Sequence, residues 1–407
     1  MNICMLLEAE YPPDIRVRKE ARALLDAGYD VTLLCHLGDI EPTFETVEGV
    51  DVHREPFQNA HSGVFGLLDG TAYMMTQVHR AWADAIDRVC DAKGIDVLHV
   101  HDLPLVKTAL DVARPRGIRV VADLHENWPE AVRQYRRSDS WRRYLREPTY
   151  LLSTVSLPIW RWKRLERTCV RRVDHVITVV DEAKTHYVRD CGVAPEKVSV
   201  VSNVVSLDQF EVDDVVPKSV DGDFVLSYVG TLGGRHRGLE PVIEAVPDIR
   251  AELPGFRLLI VGSGSEYEHR LRTLSTELGV EDAITFTGWV DFEEVPSYIA
   301  ASDACLVPHA STPHTETTIP HKLFQYMALG KPTIVTDVQP LQRIVEETGC
   351  AVVVPAGDSD AMVDAVLSLA ADAERAESIG ERGRQAVAET YNWESEATKL
   401  TALYESL

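Results

Sequence analysis

The chain has 407 residues, enough for two or three domains at about 150 residues each. With 45% hydrophobic and 26% charged residues it has the make-up of a packed globular protein, which excludes a disordered or fibrous chain. Its 41 basic and 64 acidic residues leave a net charge of −23, which argues against a nucleic-acid partner, because neutralising phosphates takes a basic surface.

The opening, MNICMLLEAEYPPD, carries an apolar run without a basic stretch before it or a small-residue cleavage site after it. It reads as a first strand and not as a signal peptide. Asn2–Leu7 is therefore expected as a strand, Ile15–Ala27 as an amphipathic helix ended by Gly28, and Asp30–Cys35 as the next strand. Asp96–Val100, Arg119–Leu124 and His175–Val180 continue the alternation. Each run is β-branched and apolar nearly throughout, as parallel strands covered on both faces require.

The acidic, Pro- and Gly-bearing stretch across 205–222 lacks helical periodicity and reads as a linker. The alternation then restarts at Phe224–Val229, Arg257–Val261, Ala283–Phe286, Ala304–Val307, Thr333–Val335 and Ala351–Val354. The expectation is an α/β architecture of two Rossmann-like, doubly wound domains, 1–204 and 223–388, facing across a cleft. A last amphipathic helix, Trp393–Leu407, lies within an expected crossover segment, 389–407, that returns to the first domain. No run of about 20 apolar residues occurs, so no spanning segment is expected. The seven cysteines are scattered and form no CxxC pair, which suits reduced, buried thiols in a cytoplasmic protein.

In open α/β sheets ligands bind beyond the carboxyl ends of the strands. Four strand-to-helix junctions carry suitable chemistry. Phe224–Val229 runs into Gly230-Thr231-Leu232-Gly233-Gly234-Arg235-His236-Arg237-Gly238, where glycines admit a ligand and Arg235 and Arg237 suit a phosphate. The Gly262-Ser263-Gly264-Ser265 turn lacks the third glycine of a dinucleotide fingerprint. Pro320 opens and Gly330 closes a helix holding Lys322 and Gln325 on one face, with Leu323, Tyr326 and Met327 on the core face. A lysine in the first turn opposes the helix dipole unless an anion meets it there. Finally, two strands end on His101-Asp102 and His125-Glu126. No metal-ligand spacing was found around His309, His314 and His321, so no metal is expected.

These segments together resemble the retaining nucleotide-sugar glycosyltransferases of the GT-B fold, family-4 type. YPPDIRVRKEARALLDAGYDVTLL, HVHDLP, DLHENWPE, VDHVITVVDEAK and VSVVSNV are similar to the family's acceptor-side domain. VLSYVGTL, RGLEPVIEA, LLIVGSG, ITFTGWV and PHKLFQYMALGKPTIVTD are similar to its donor-side domain, and the last helix to its crossover helix. The resemblance implies transfer from a nucleotide-diphosphate sugar without a metal, flavin or nicotinamide. It implies that Arg237 and Lys322 hold the donor diphosphate, with Gly230, Thr231, Arg235, Gly262 and Leu323 alongside. Gln325 stands where the family carries its ribose-binding Glu. Thr317, with Glu316 beside it, stands where the first Glu of the pair is usual. His125 matches the strand-end His near the transferred sugar, His101 and Asp102 lie at the acceptor mouth, and Arg16 occupies the first strand–helix loop. Domain closure would exclude water. A sugar-nucleotide 2-epimerase and a non-catalytic sugar-nucleotide binder share this pattern and stay open.

Residues 133–172 form a basic insertion. Twelve Arg and Lys face only Asp139, Glu147 and Glu166, around the apolar YLLSTVSLPIW and three tryptophans. Arg142, Arg143, Trp160, Trp162, Lys163 and Arg164 are expected to meet an anionic membrane or the acceptor. That fits a glycan or lipid-linked acceptor and a protein peripheral on the inner face of the cell membrane.

Overall fold

The computed structural model describes residues 1–38, 42–56, 63–138, 147–207 and 215–407. Arg142, Arg143 and Trp141 of the basic insertion lie outside them. The chain forms two compact units, Met1–Ser202 with Ala397–Leu407, and Asn203–Glu396. The described residues of the expected linker, 205–207 and 215–222, therefore group with the second unit.

The first unit is built on β1 (Asn2–Leu6), β2 (Asp30–His36), β3 (Phe44–Val47), β4 (Val50–Glu55), β5 (Val97–His101), β6 (Arg119–Leu124), β7 (His175–Thr178) and β8 (Val198–Val200). They lie in the order β3-β4-β2-β1-β5-β6-β7-β8. All are parallel to their neighbours except the β3–β4 pair. The reading of the sequence did not anticipate that hairpin. Its strands are short and half-exposed, and its turn uses two left-handed residues, Glu48 (φ 51°) and Gly49 (φ 90°). Such turns match the twist of the strands they join.

The second unit carries β9 (Phe224–Val229), β10 (Phe256–Val261), β11 (Ile284–Gly288), β12 (Ala304–Val307), β13 (Thr333–Thr336) and β14 (Ala351–Val354). This sheet is wholly parallel, in the order β11-β10-β9-β12-β13-β14. β9 is buried along its whole length, because helices cover both faces. The order reverses direction at β9, and the two loops that leave β9 and β12 bound the switch point where such sheets bind ligands.

The last helix, Trp393–Ser406, is shared by the units. Its Trp393 backbone N–H donates to Val205 O at 2.8 Å in the second unit. Its far end belongs to the first, where Tyr404 is buried against Tyr29 and donates or accepts at His99 Nδ1, 2.5 Å away.

One glycine sets how the β9 loop is held. After the short turn Arg235–Arg237, Gly238 adopts φ +68°, and a Cβ there would lie 1.7 Å from Pro308 O at the end of β12. Gly279 is also left-handed (φ +66°) but faces open space. Gly238→Ala is expected to destabilise the second unit by about 2–3 kcal/mol, through strain and a backbone clash together. Gly279→Ala should cost about 1 kcal/mol, from the backbone conformation alone. Urea unfolding of both variants checks the order.

Candidate active site

In the second unit three loops converge at the carboxyl edge of the sheet. Gly230 N–H donates to Val261 O at 2.8 Å, and a Cβ on Gly262 (φ +132°) would lie 2.2 Å from Gly230 O. Gly262 thus lets the β9 and β10 loops touch. A Cβ on Gly230 would lie 2.7 Å from Lys322 Nζ, so the missing side chain makes room for the lysine head at the strand end.

Lys322 is the unusual residue. It stands in the first turn of the helix His321–Ala328, it is buried, and its ammonium has no hydrogen-bond partner among the described residues. The Tyr228 ring compensates it in part, 3.4 Å from Nζ to centroid. Arg237 lies half-buried nearby. Its Nη2 donates to Thr231 Oγ1 at 3.3 Å, and its Nε is buried without a partner. Burial, then the Arg237 charge, holds the Lys322 pKa well below the ordinary lysine range. His236 and His309 are buried beside them. Burial, Arg237 and His314 press His236 down to about 3, and burial with Arg237 and Lys322 lowers His309 strongly. Both imidazoles are neutral at pH 7. Among the described residues no carboxylate pairs with Lys322 or Arg237. A buried cation without a counter-ion is costly. An anion in this pocket would offset that cost.

The other residues expected around the donor take varied places. Arg235 points outward and pairs with Glu240 at 3.4 Å. Gln325 is buried on the Lys322 helix, but so is every residue from Lys322 to Ala328, so the helix has no exposed face to separate from the core face. Leu323 is a core residue, and its backbone N–H donates to Pro320 O at 3.2 Å. Glu316 accepts from Ser311 Oγ at 2.6 Å and from Gln339 N–H at 2.9 Å. It caps the start of the helix Gln339–Thr348. Thr317 donates back to Pro313 O and His314 O within its own turn. Of the three residues expected around the ribose, Gln325 lies on the Lys322 helix, and Glu316 and Thr317 lie in the turn before it.

The first unit shows the opposite electrostatics. β5 and β6 pair in register with His101 opposite Asp123, and the two-residue period puts His99 on the same face. Asp123 is fully buried and accepts from Arg16 Nε (3.2 Å) and Nη2 (2.9 Å). Its Oδ2 lies 2.7 Å from His125 Nε2 and 3.3 Å from His101 Nδ1. Glu20 lies 3.0 Å from Arg16 and 3.3 Å from His99. Arg16, expected at the donor, is buried here and donates its remaining nitrogen, Nη1, to Val201 O at 3.0 Å.

This network sets the charge of His125. Burial opposes protonation, but Asp123 and Asp102 outweigh it and raise His125 to about 9. The part-exposed imidazole therefore carries its proton at pH 7. Asp102 sits at a strained strand end (φ 62°) and accepts from the His125 N–H at 3.3 Å. Burial, then Glu126 and Asp123 against the opposing His125, raise its carboxyl to about 6. His101 is lowered by burial and stays neutral.

Comparison with known proteins places the chain. Residues 15–209 match the family described as Glycosyltransferase Family 4, and residues 223–372 match Glycosyl transferases group 1. Together the two matches take in most of the chain. The chain is a family-4 type glycosyltransferase of the GT-B fold.

Among its relatives is the GDP-mannose-dependent alpha-(1-6)-phosphatidylinositol monomannoside mannosyltransferase of Mycobacterium tuberculosis, 26% identical over 82% of this chain and 90% of that one. Another is the alpha-D-kanosaminyltransferase of Streptomyces kanamyceticus, 26% identical over 65% of this chain and 68% of that one. The sucrose-phosphate synthase of Thermosynechococcus elongatus has the same fold, with a TM-score of 0.77 over all of this chain and 98% of that one at 20% identity.

The basic insertion of this glycosyltransferase separates into two faces. Trp160 is 63% exposed, whereas Trp162 is 5% exposed and packs edge-on to Trp128 with centroids 5.9 Å apart. Trp162 is thus corrected from a surface residue to a core one. Residues two apart on a helix point to opposite sides, and the helix Ile159–Val170 shows this. Lys163 pairs with Glu130 at 2.7 Å, while Arg164 is exposed. Val155 (70%) and Met75 (80%) are exposed as well. Among the described residues no helix is long and apolar enough to cross a membrane. All seven cysteines are buried.

Reading the sequence gave no role to Asp123, Glu20, His99, His236 and Tyr228, and weighed His309 only as a metal ligand. One signal was available: a carboxylate inside the buried run RVVADL needs a partner.

The His125 shift carries a pH dependence. Its folded value, about 9, exceeds the ordinary 6.5. The stabilisation it brings is full below pH 6.5 and is lost as pH rises through about 9. The melting temperature should fall between pH 7 and 10, and His125→Gln should flatten that fall. Parallel pH profiles for the two proteins would contradict the assignment.

Proposed function

We propose that this glycosyltransferase is a retaining, metal-independent enzyme that moves a sugar from a nucleotide-diphosphate donor to a glycan or lipid-linked acceptor on the inner face of the cell membrane. The observation that carries the reading is Lys322, a buried ammonium without a counter-ion, beside Arg237 and two neutral imidazoles. A diphosphate supplies the missing negative charge, and gains most as the sugar departs and charge develops on the leaving oxygen. The side-chain cations fill the part that a metal ion plays elsewhere. No flavin or nicotinamide enters the reaction.

In the first unit the His125 cation orients the sugar, with Asp102 and His101 on the acceptor side. The donor phosphate, leaving from the face where the acceptor hydroxyl attacks, takes that hydroxyl's proton. Configuration is then retained, which agrees with a relative that makes an alpha-(1-6) linkage from GDP-mannose, itself an α-linked donor. That relative's lipid acceptor also motivates the membrane assignment, and Trp160, Arg164, Val155 and Met75 give the first unit an exposed apolar and basic surface. Such surfaces bind anionic bilayers through both terms.

The test is incubation with a panel of nucleotide sugars, with and without membrane lipid extract, reading nucleoside diphosphate release. Release that needs the extract, with the sugar recovered in α linkage, is the expected outcome. Lys322→Met should lower release at least about 100-fold, the scale of losing a preorganised charge, while melting no lower than the parent. Donor binding without release under every condition would favour a non-catalytic binder. An epimerised donor without release would favour the epimerase.

A further inference from the structure

Away from both strand-end sites, the first unit brings together a carboxylate, an imidazole and a thiol. Glu166 reaches from the helix Ile159–Val170, and His186 stands in the helix Asp181–Arg189. Cys191 follows two residues after that helix ends. Its N–H donates to His186 O at 3.2 Å, and the left-handed Gly192 (φ +72°) completes the turn. This folds the thiol back over the imidazole. His186 Nε2 lies 3.4 Å from Glu166 Oε2, and Cys191 Sγ lies 3.7 Å from each of those atoms.

We propose that Glu166, His186 and Cys191 bind one zinc-class divalent ion. Tetrahedral zinc, with about 2.3 Å to sulfur and about 2.0–2.1 Å to nitrogen and oxygen, holds such ligand atoms roughly 3.3–3.6 Å apart. The three separations already stand within a few tenths of an ångström of that. The ligand set, one thiolate, one imidazole and one carboxylate, suits zinc and disfavours magnesium or calcium, which take oxygen.

Two further observations point to a ligand. Glu166 is 3% exposed, and its Oε1 has no hydrogen-bond partner. A carboxylate so buried requires compensation that the protein's hydrogen bonds leave incomplete. Asp190 Oδ2 lies 3.0 Å from His186 Nδ1. A carboxylate there holds a proton on Nδ1, so that an ion displacing the Nε2 proton from its contact with Glu166 would find the Nε2 lone pair directed at Glu166 and Cys191, as outer carboxylates arrange for zinc-bound histidines. A cavity of about 130 Å³, lined in part by Glu166, His186, Lys163 and Asn127, adjoins the group and can supply a water as fourth ligand. On binding, the thiol proton and any proton on Nε2 pass to solvent.

A second group of ligating type, Glu20, His99, His101 and Asp123, does not compete for this reading. There Arg16 already supplies the cation. Among the described residues no guanidinium pairs with Glu166: Arg171 Nε donates to the Cys191 carbonyl instead, and Arg167 lines the adjoining cavity. The ion would tie the end of one helix to the middle of another, stabilising the first unit apart from the transfer chemistry.

The test uses the full chain, stripped of metal and titrated with Co²⁺, then Zn²⁺. A near-ultraviolet thiolate-to-cobalt band should saturate at one ion per chain and vanish as zinc displaces cobalt. Cys191→Ser should abolish the band, and Asp190→Asn should keep it while weakening zinc binding about 10-fold, as loss of an outer partner does. A parent protein without the band, or a band that survives in Cys191→Ser, overturns the proposal. The parent spectrum decides even where a variant fails to fold.

Discussion

Parallel strands all end on the same edge, and this constraint places the strand-end groups of both units. A sheet buried on both faces has no room for a ligand except beyond the carboxyl ends of its strands. β5 and β6 deliver His101, Asp102 and His125 to one such edge. β9, β10 and β12 deliver the Gly230 loop, the Gly262 turn and the segment leading to Lys322 to the other. The glycines then allow close approach where a Cβ would block it.

The two edges solve the problem of buried charge in opposite ways. In the first unit Arg16, Glu20, Asp123 and the histidines compensate one another, so the network is self-sufficient and leaves one oriented imidazolium at its margin. In the second, Lys322 and Arg237 lack carboxylate partners among the described residues, and the nearby imidazoles stay neutral. A self-compensated network rigidifies, whereas an uncompensated one costs stability until its ligand arrives. On the proposed function, that difference suits one unit to positioning and the other to binding a leaving group.

Much of this was legible in the sequence, for physical reasons. Continuous β-branched runs marked the central strands, because a strand covered on both sides must be apolar throughout. Lys322 stood out because a lysine opposes the dipole at a helix start. The short hairpin β3–β4 was not legible, since half-exposed strands of four to six residues carry a weak pattern. Nor was the destination of Arg16 or Glu316, each of which finds its partner far along the chain: Asp123 for one, the Gln339 N–H for the other. Trp162 was misplaced because a charged, aromatic segment was read as one surface, although helical geometry splits Trp160 from Trp162. The Glu166–His186–Cys191 group is assembled from two helices and a turn, with no sequence spacing to announce it.

The diphosphate pocket proposed for the second unit is tested most directly through charge. Lys322 and Arg237 have no carboxylate partner among the described residues, so a bound diphosphate would supply their counter-charge. Calorimetric titration of a nucleoside diphosphate and of the matching nucleoside, into the parent and into Lys322→Met, reads what the phosphates contribute. The diphosphate is expected to bind the parent more tightly than the nucleoside and to lose most of that advantage in Lys322→Met. Equal binding of the two ligands by the parent, or an advantage unchanged in Lys322→Met, would contradict the reading.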